Sequence, residues 1–273
     1  MEHKIYKTMK GMIRRVYLHT LLSGCFLAMA LNGQAQTKMG YSDLYWKIND
    51  DTLIITGKGE MPKYSWQLLN TSPWAFKSNI HEMNMRISGP ATIGKFAFYG
   101  MNFIEVHVPE GVTKIGQGAF QSCMHLASVD IPEGVTTIGI GGFAQCVRLS
   151  DIHLPESLTS IGGMAFWGCK SLVGIRLPKG LTSISYWFFR ACTNLASVNI
   201  PESVTEIGKH AFQGCTSLNE ITLNWTNPSA CSVSKSAFKK LTVENITLRV
   251  PEGTAAKYKS HRKWKKFRIT EEK

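Results

Sequence analysis

The sequence predicts a solenoid: stacked coils carrying short parallel β-strands, joined by tight turns and closed by a cap at each end. Three observations carry that expectation. Pro109, Pro132, Pro155, Pro178 and Pro201 stand 23 residues apart, and the same interval separates Phe120, Phe143, Phe166, Phe189 and Phe212. Cys123, Cys146, Cys169, Cys192 and Cys215 repeat it again. A fixed period in the twenties with apolar residues at several phases marks stacked coils, because one such unit cannot bury its own apolar face and must lie against its neighbours.

Residues 1–35 stand outside this pattern. Lys4, Lys7, Lys10, Arg14 and Arg15 precede an apolar stretch from Val16 to Leu31, and Gly33-Gln34-Ala35 ends it with small residues. That is the layout of a signal peptide cleaved after Ala35. Leu22-Ser23-Gly24-Cys25 also matches a lipobox, which would make Cys25 a lipidated first residue and attach the chain to a membrane. The apolar run continues past Cys25 and favours cleavage after Ala35. No later segment reaches the roughly 20 apolar residues of a membrane-spanning helix.

Residues 36–79, with Trp46, Gly59-Glu60-Met61-Pro62 and Pro73-Trp74, read as a β-rich N-terminal cap, since a bare solenoid end exposes strand edges and core. Residues 80–245 hold about seven units, starting near Ile80, Phe103, Leu126, Leu149, Leu172, Leu195 and Leu218. Each regular unit runs Leu-x-x-Val-x-Ile-Pro-x-x-Val-Thr-x-Ile-Gly-x-x-Ala-Phe-x-x-Cys-x-x. Val129 and Ile131 point inward while Ser128 and Asp130 point outward, as a strand's two-residue period requires. Pro132 then ends the strand because it offers no N–H to a ladder. Val135, Thr136 and Ile138 form a second extended piece, Gly139 a corner, and the Ala-Phe-x-x-Cys segment a tight helical or 3-10 turn that drops phenylalanine into the core. The spacing from Phe212 to Phe238 is 26, so an insertion lies within residues 224–233. Residues 246–273 read as a basic C-terminal cap.

The unit resembles the 23-residue bacterial leucine-rich repeat of BspA-like surface proteins, over roughly Ile80 to Val250. The resemblance implies a right-handed curved leucine-rich repeat solenoid, export, and a role in adhesion or recognition without naming one ligand. The chain is thus expected to be secreted or held at the outer cell surface, with the periplasm as a further location, and to bind a host or matrix protein or a glycan. Two positions depart from the pattern: Ser185 replaces the usual glycine and Phe188 the usual alanine.

The formal charge is +12, of which +8 remains without residues 1–35. From Ala91 to Leu223 there are eight basic and nine acidic residues, whereas after Leu223 there are twelve basic and four acidic. Lys257, Lys259, Arg262, Lys263, Lys265 and Lys266 are therefore candidates for holding a polyanion such as anionic polysaccharide or lipid, with Tyr258 and Trp264 near enough to add stacking. A solvated cap face is the plainer reading. Export makes nucleic acid an unexpected partner.

The ladder cysteines are expected to be buried free thiols. Equivalent positions of neighbouring coils stand close enough for a disulfide, but their side chains run parallel into the core, where a thiol packs as a weakly polar hydrophobe. No Gly-x-Ser-x-Gly, His-Glu-x-x-His, phosphate loop or Cys-x-x-Cys is present, so no catalysis, cofactor or metal is expected.

Two outward surfaces remain as ligand-binding candidates. One gathers Glu105, His107, Asp130, Asp151, His153 and Arg176 from the outward strand positions, a polar face whose residue types would suit a metal or polar ligand, or simply water. The other is aromatic: Trp167, Tyr186 and Trp187 lie on adjacent coils in slots filled elsewhere by Gln121, Ala144, Gly118 and His210. They either adjust local packing or form a contact patch.

Overall fold

The structure, a computed structural model, describes residues 36–39, 42–65, 71–75, 79–88 and 91–272. The expected signal peptide and Cys25 lie outside the described residues.

The N-terminal sheet runs β1 (Thr37–Lys38), β2 (Asp43–Asn49), β3 (Thr52–Lys58) and β4 (Glu82–Ser88). Its first three strands pair antiparallel, and β3 then pairs parallel with β4. Short strands follow: β5 (Ala91–Ile93), β6 (Glu105–His107), β7 (Val112–Ile115), β8 (Ser128–Asp130), β9 (Thr137–Ile138), β10 (Asp151–His153), β11 (Ser160–Ile161), β12 (Gly174–Arg176), β13 (Ser183–Ile184), β14 (Ser197–Ile200), β15 (Glu206–Ile207), β16 (Glu220–Leu223), β17 (Ser232–Val233) and β18 (Thr247–Val250). Helix α1 (Ala255–Ser260) leads to β19 (Arg268–Glu271). From β5 onward every pairing is parallel, and the regular coils pair one repeat apart: Asp151 with Ser128, Ile184 with Ile207. The result is a parallel-strand β-solenoid of about eight turns with almost no helix among the described residues. The eighth strand of the first column, β18, comes from the segment read as C-terminal cap, where Thr247 pairs in register with Glu220.

The core is one column per repeat phase. Val129, Ile131, Val135, Ile138, Phe143, Cys146 and Leu149 are all buried, and such area removed from water is worth about 25 cal/mol per Å². The phenylalanine rings stack along the axis at centroid spacings of 5.2, 5.4, 6.0, 5.8, 5.6 and 5.2 Å from Phe98 to Phe238. Trp74 closes one end at 5.7 Å from Phe98, its indole N–H donating to the Ala97 carbonyl. Trp264 and Phe267 close the other against Phe238.

Each thiol in the ladder donates to the carbonyl of the phenylalanine in the preceding coil: Cys123 to Phe98, Cys146 to Phe120, Cys169 to Phe143, Cys192 to Phe166 and Cys215 to Phe189, at 3.0–3.2 Å. All six described cysteines are free and buried. The thiol is thus a repeated polar tie as well as a hydrophobe.

The turn segment uses i to i−3 bonds but does not continue as a helix. Ala119, Gln121 and Cys123 donate their N–H groups three residues back, to Gly116, Gly118 and Phe120, whereas Gly118, Phe120 and Ser122 donate to Ile140, Gly142 and Ala144 of the next coil. Left-handed residues at two positions per coil, Gly118 at φ 58° and Ser122 at φ 62°, go with this alternation. Half of the donors a helix would use internally instead tie coil to coil.

Both strand columns are interrupted at one junction. β10 pairs with β8 but not with β12, and β11 pairs with β9 but not with β13. In the column of β11 and β13 the physical reason is Ser185. The corner glycines lie so close to the previous coil that a Cβ on Gly139 or Gly162 would come within 2.5 Å of a backbone nitrogen. At Ser185 a Cβ is present, and the coil stands off: the N–H to carbonyl bond made by Gly139, Gly162 and Gly208 has no equivalent there. Phe188 adds volume at the same junction, fully buried 5.6 Å from Phe166 and 4.7 Å from Phe189. On the turn side the coils stay joined through Met164 to Tyr186, Phe166 to Phe188 and Gly168 to Arg190.

The insertion cradles the C-terminal segment. Trp225 is buried and donates its indole N–H to the Glu202 carbonyl. Its own carbonyl accepts the Tyr258 hydroxyl at 2.8 Å, and the Pro228 carbonyl accepts the Trp264 indole N–H at 3.0 Å.

Candidate functional site

The aromatic residues form a patch across the interrupted junction. Met164 and Trp187 occupy one turn position of successive coils, and Trp167 and Arg190 another, so the four make a two-by-two array. The Trp167 and Trp187 rings are 6.2 Å apart at 57°, and the Arg190 guanidinium sits 4.3 Å from the Trp187 centroid. All four are half-buried, while Tyr186 is 43% exposed and lies over Gly163, where a Cβ would meet its ring at 2.5 Å. Phe188 is core. The local packing adjustment is therefore present, Phe188 filling the interior, while the tryptophans cover each other and stay half-exposed at the surface. Sequence reasoning missed Arg190, whose signal was its place three residues after Trp187.

Trp187 holds φ 56°, in a column where Gly118 and Gly141 take φ 58° and 63° and Phe96, Met164 and His210 take φ 52°, 61° and 58°. A side chain in that region costs on the order of 1 kcal/mol relative to glycine.

The polar face is only partly assembled. His107 lies 3.5 Å from Glu105 and 3.7 Å from Asp130, all three well exposed. Asp151 and His153 stand on β10, opposite Ser128 and Asp130, and Arg176 lies on β12, across the interruption. Among the described residues no group of three or more His, Cys, Asp or Glu side chains is placed to hold a metal ion. Burial pushes the Cys169, Cys215 and Cys231 thiols up to about 12, which keeps them protonated at neutral pH.

The six basic candidates of the C-terminal segment are all exposed, but they do not act as one group. Arg262, Lys263 and Lys266 line a groove of about 750 Å³ together with Lys235 and Lys239, which sequence reasoning did not connect to them. Lys257, Lys259 and Lys265 lie outside it. Tyr258 and Trp264 cannot supply stacking to a ligand, because both are fully buried with their polar atoms bonded to the insertion.

Parallel coils, a 23-residue register and a phenylalanine-cysteine core define a leucine-rich repeat scaffold. The family described as BspA type leucine rich repeat region matches residues 72–195 and 137–253, in six copies, and the chain belongs to it. Among solved structures, it is similar to the Treponema pallidum leucine rich repeat protein at 23% identity, with 85% of this chain and 93% of that one covered and a TM-score of 0.44. A leucine-rich repeat protein from Bacteroides ovatus gives 21%, 84%, 66% and 0.47, and a leucine rich cell surface protein from Faecalibacterium prausnitzii 18%, 89%, 95% and 0.33. No curated protein matches the chain.

Proposed function

We propose that this chain is an exported, non-catalytic binding protein, secreted or displayed at the outer cell surface, which contacts a host or matrix protein or a glycan through its aromatic edge. The observation that carries the reading is Trp187. Its large indole stays half-exposed at a turn position and is ordered by Arg190 and Trp167. Paired tryptophan, tyrosine and arginine side chains are the residue types that dominate binding energy. The buried phenylalanine stack holds these groups on a fixed scaffold, so little ordering entropy opposes binding.

An array of extracellular-matrix proteins and glycans, probed with the purified chain and with the Trp167→Ala/Trp187→Ala double variant, tests the reading. Capture of the unaltered chain and its loss in the folded double variant is the expected result. Equal capture of both would show that the aromatic edge does not contact the ligand.

A further inference from the structure

We infer that the groove at the C-terminal end of the solenoid binds a sulfated or carboxylated glycan segment, at a site independent of the aromatic edge. The groove runs between the last corner of the solenoid and the loop after α1, and its 750 Å³ suits two or three sugar rings. Lys235, Lys239, Arg262, Lys263 and Lys266 surround it, and no carboxylate lines it. Five like charges converging without a counter-charge repel one another, and an anionic ligand relieves that repulsion. Burial first, and then Lys263 and Arg262, hold the neighbouring His261 below the usual imidazole range, which fits a positive local field.

The floor decides the kind of polyanion. Phe238 and Phe267 line it and are recessed, half-buried and 7% exposed respectively. A pyranose ring offers a C–H face to such a floor while its anionic substituents reach the cationic rim. A lipid surface would need apolar side chains that protrude, and among the described residues the large exposed ones, Ile104, Met124, Ile140, Val173 and Tyr186, do not line the groove. Single-stranded nucleic acid would need exposed rings for stacking, and Tyr258 and Trp264 are buried.

The test compares two triple variants of equal charge change: Lys235→Gln/Lys239→Gln/Lys266→Gln in the groove, and Lys257→Gln/Lys259→Gln/Lys265→Gln outside it. Titration with a size-defined heparin hexasaccharide should show about tenfold weaker binding for the groove variant and less than about threefold for the other, because only the first removes paired charges. Neutral maltohexaose should not bind. On the unaltered chain, bound hexasaccharide should shield Lys235 and Lys266 from acetylation more than Lys257, a readout that needs no variant. Equal weakening by both triples, the absence of hexasaccharide binding, unshielded groove lysines, or groove-dependent binding only to phosphatidylglycerol vesicles would each overturn the site.

Discussion

The Ser185 hydroxyl lies 3.4 Å from the carbonyl oxygen of Ile161, where the corner glycines of other coils place a backbone N–H against the equivalent carbonyl. One added Cβ thus exchanges a backbone bond for a longer side-chain bond in the column of β11 and β13. The amides of Thr182 and Ser185 should exchange with deuterium faster than their counterparts Thr205 and Gly208, whose bonds to Thr182 and Ile184 are intact. Ser185→Gly should slow exchange at Ser185's own position by about tenfold, the worth of roughly one net hydrogen bond. Equal exchange at the two sets of amides would show that the junction is closed in solution.

The cysteine ladder is expected to be chemically silent. Native protein treated with an alkylating reagent near neutral pH should keep Cys123, Cys146, Cys169, Cys192, Cys215 and Cys231 unmodified, since each is buried and the thiolate is the reactive form. Denaturation without reductant should then expose all six to alkylation. A mass spectrum showing Cys146 joined to Cys169 would contradict the S–H to carbonyl ties. Cys169→Ser should destabilise by about 1–3 kcal/mol: the shorter hydroxyl keeps an acceptor in Phe143 but loses apolar packing.

Acid should weaken the solenoid through its outer loops. Glu133 accepts the N–H groups of Glu156 and Ser157 at 3.0 and 3.1 Å, and these, Glu156 foremost, hold its carboxyl below the ordinary range against a smaller opposing effect of desolvation. A carboxyl lowered on folding adds stability above its unfolded pKa and loses it as pH falls through the folded value. The unfolding temperature of Glu133→Gln should therefore lie below that of the unaltered chain near neutral pH, and the two should converge in acid. A difference that stays constant with pH would show that the charge plays no part.

Much of this architecture was legible in the residues. Val129 and Ile131 alternate with Ser128 and Asp130, and a two-residue period admits only one strand orientation against a core. The turn was less so, because Phe120 and Ser122 send their N–H groups to another coil and no local pattern records that. The departures at Ser185 and Phe188 were visible, but their effect depends on how closely Gly162 approaches the coil before it. Tyr258 and Trp264 carried the appearance of surface aromatics among lysines; their burial follows from acceptors at Trp225 and Pro228, over 30 residues away. Lys235 and Lys239 join Lys263 and Lys266 for the same reason: the cap folds back on the last corner.

If the aromatic edge serves binding and not stability, Trp187→Gly separates the two. Glycine suits φ 56° better than tryptophan does, so relief of backbone strain should offset lost packing to within about 1 kcal/mol in stability. The decisive measurement is the affinity of Trp187→Gly, beside its unfolding temperature, for whichever matrix protein or glycan the array retains. An unchanged unfolding temperature with affinity lowered about 30-fold or more is the result expected of a contact residue. Unchanged affinity, or unfolding of the variant, would contradict it.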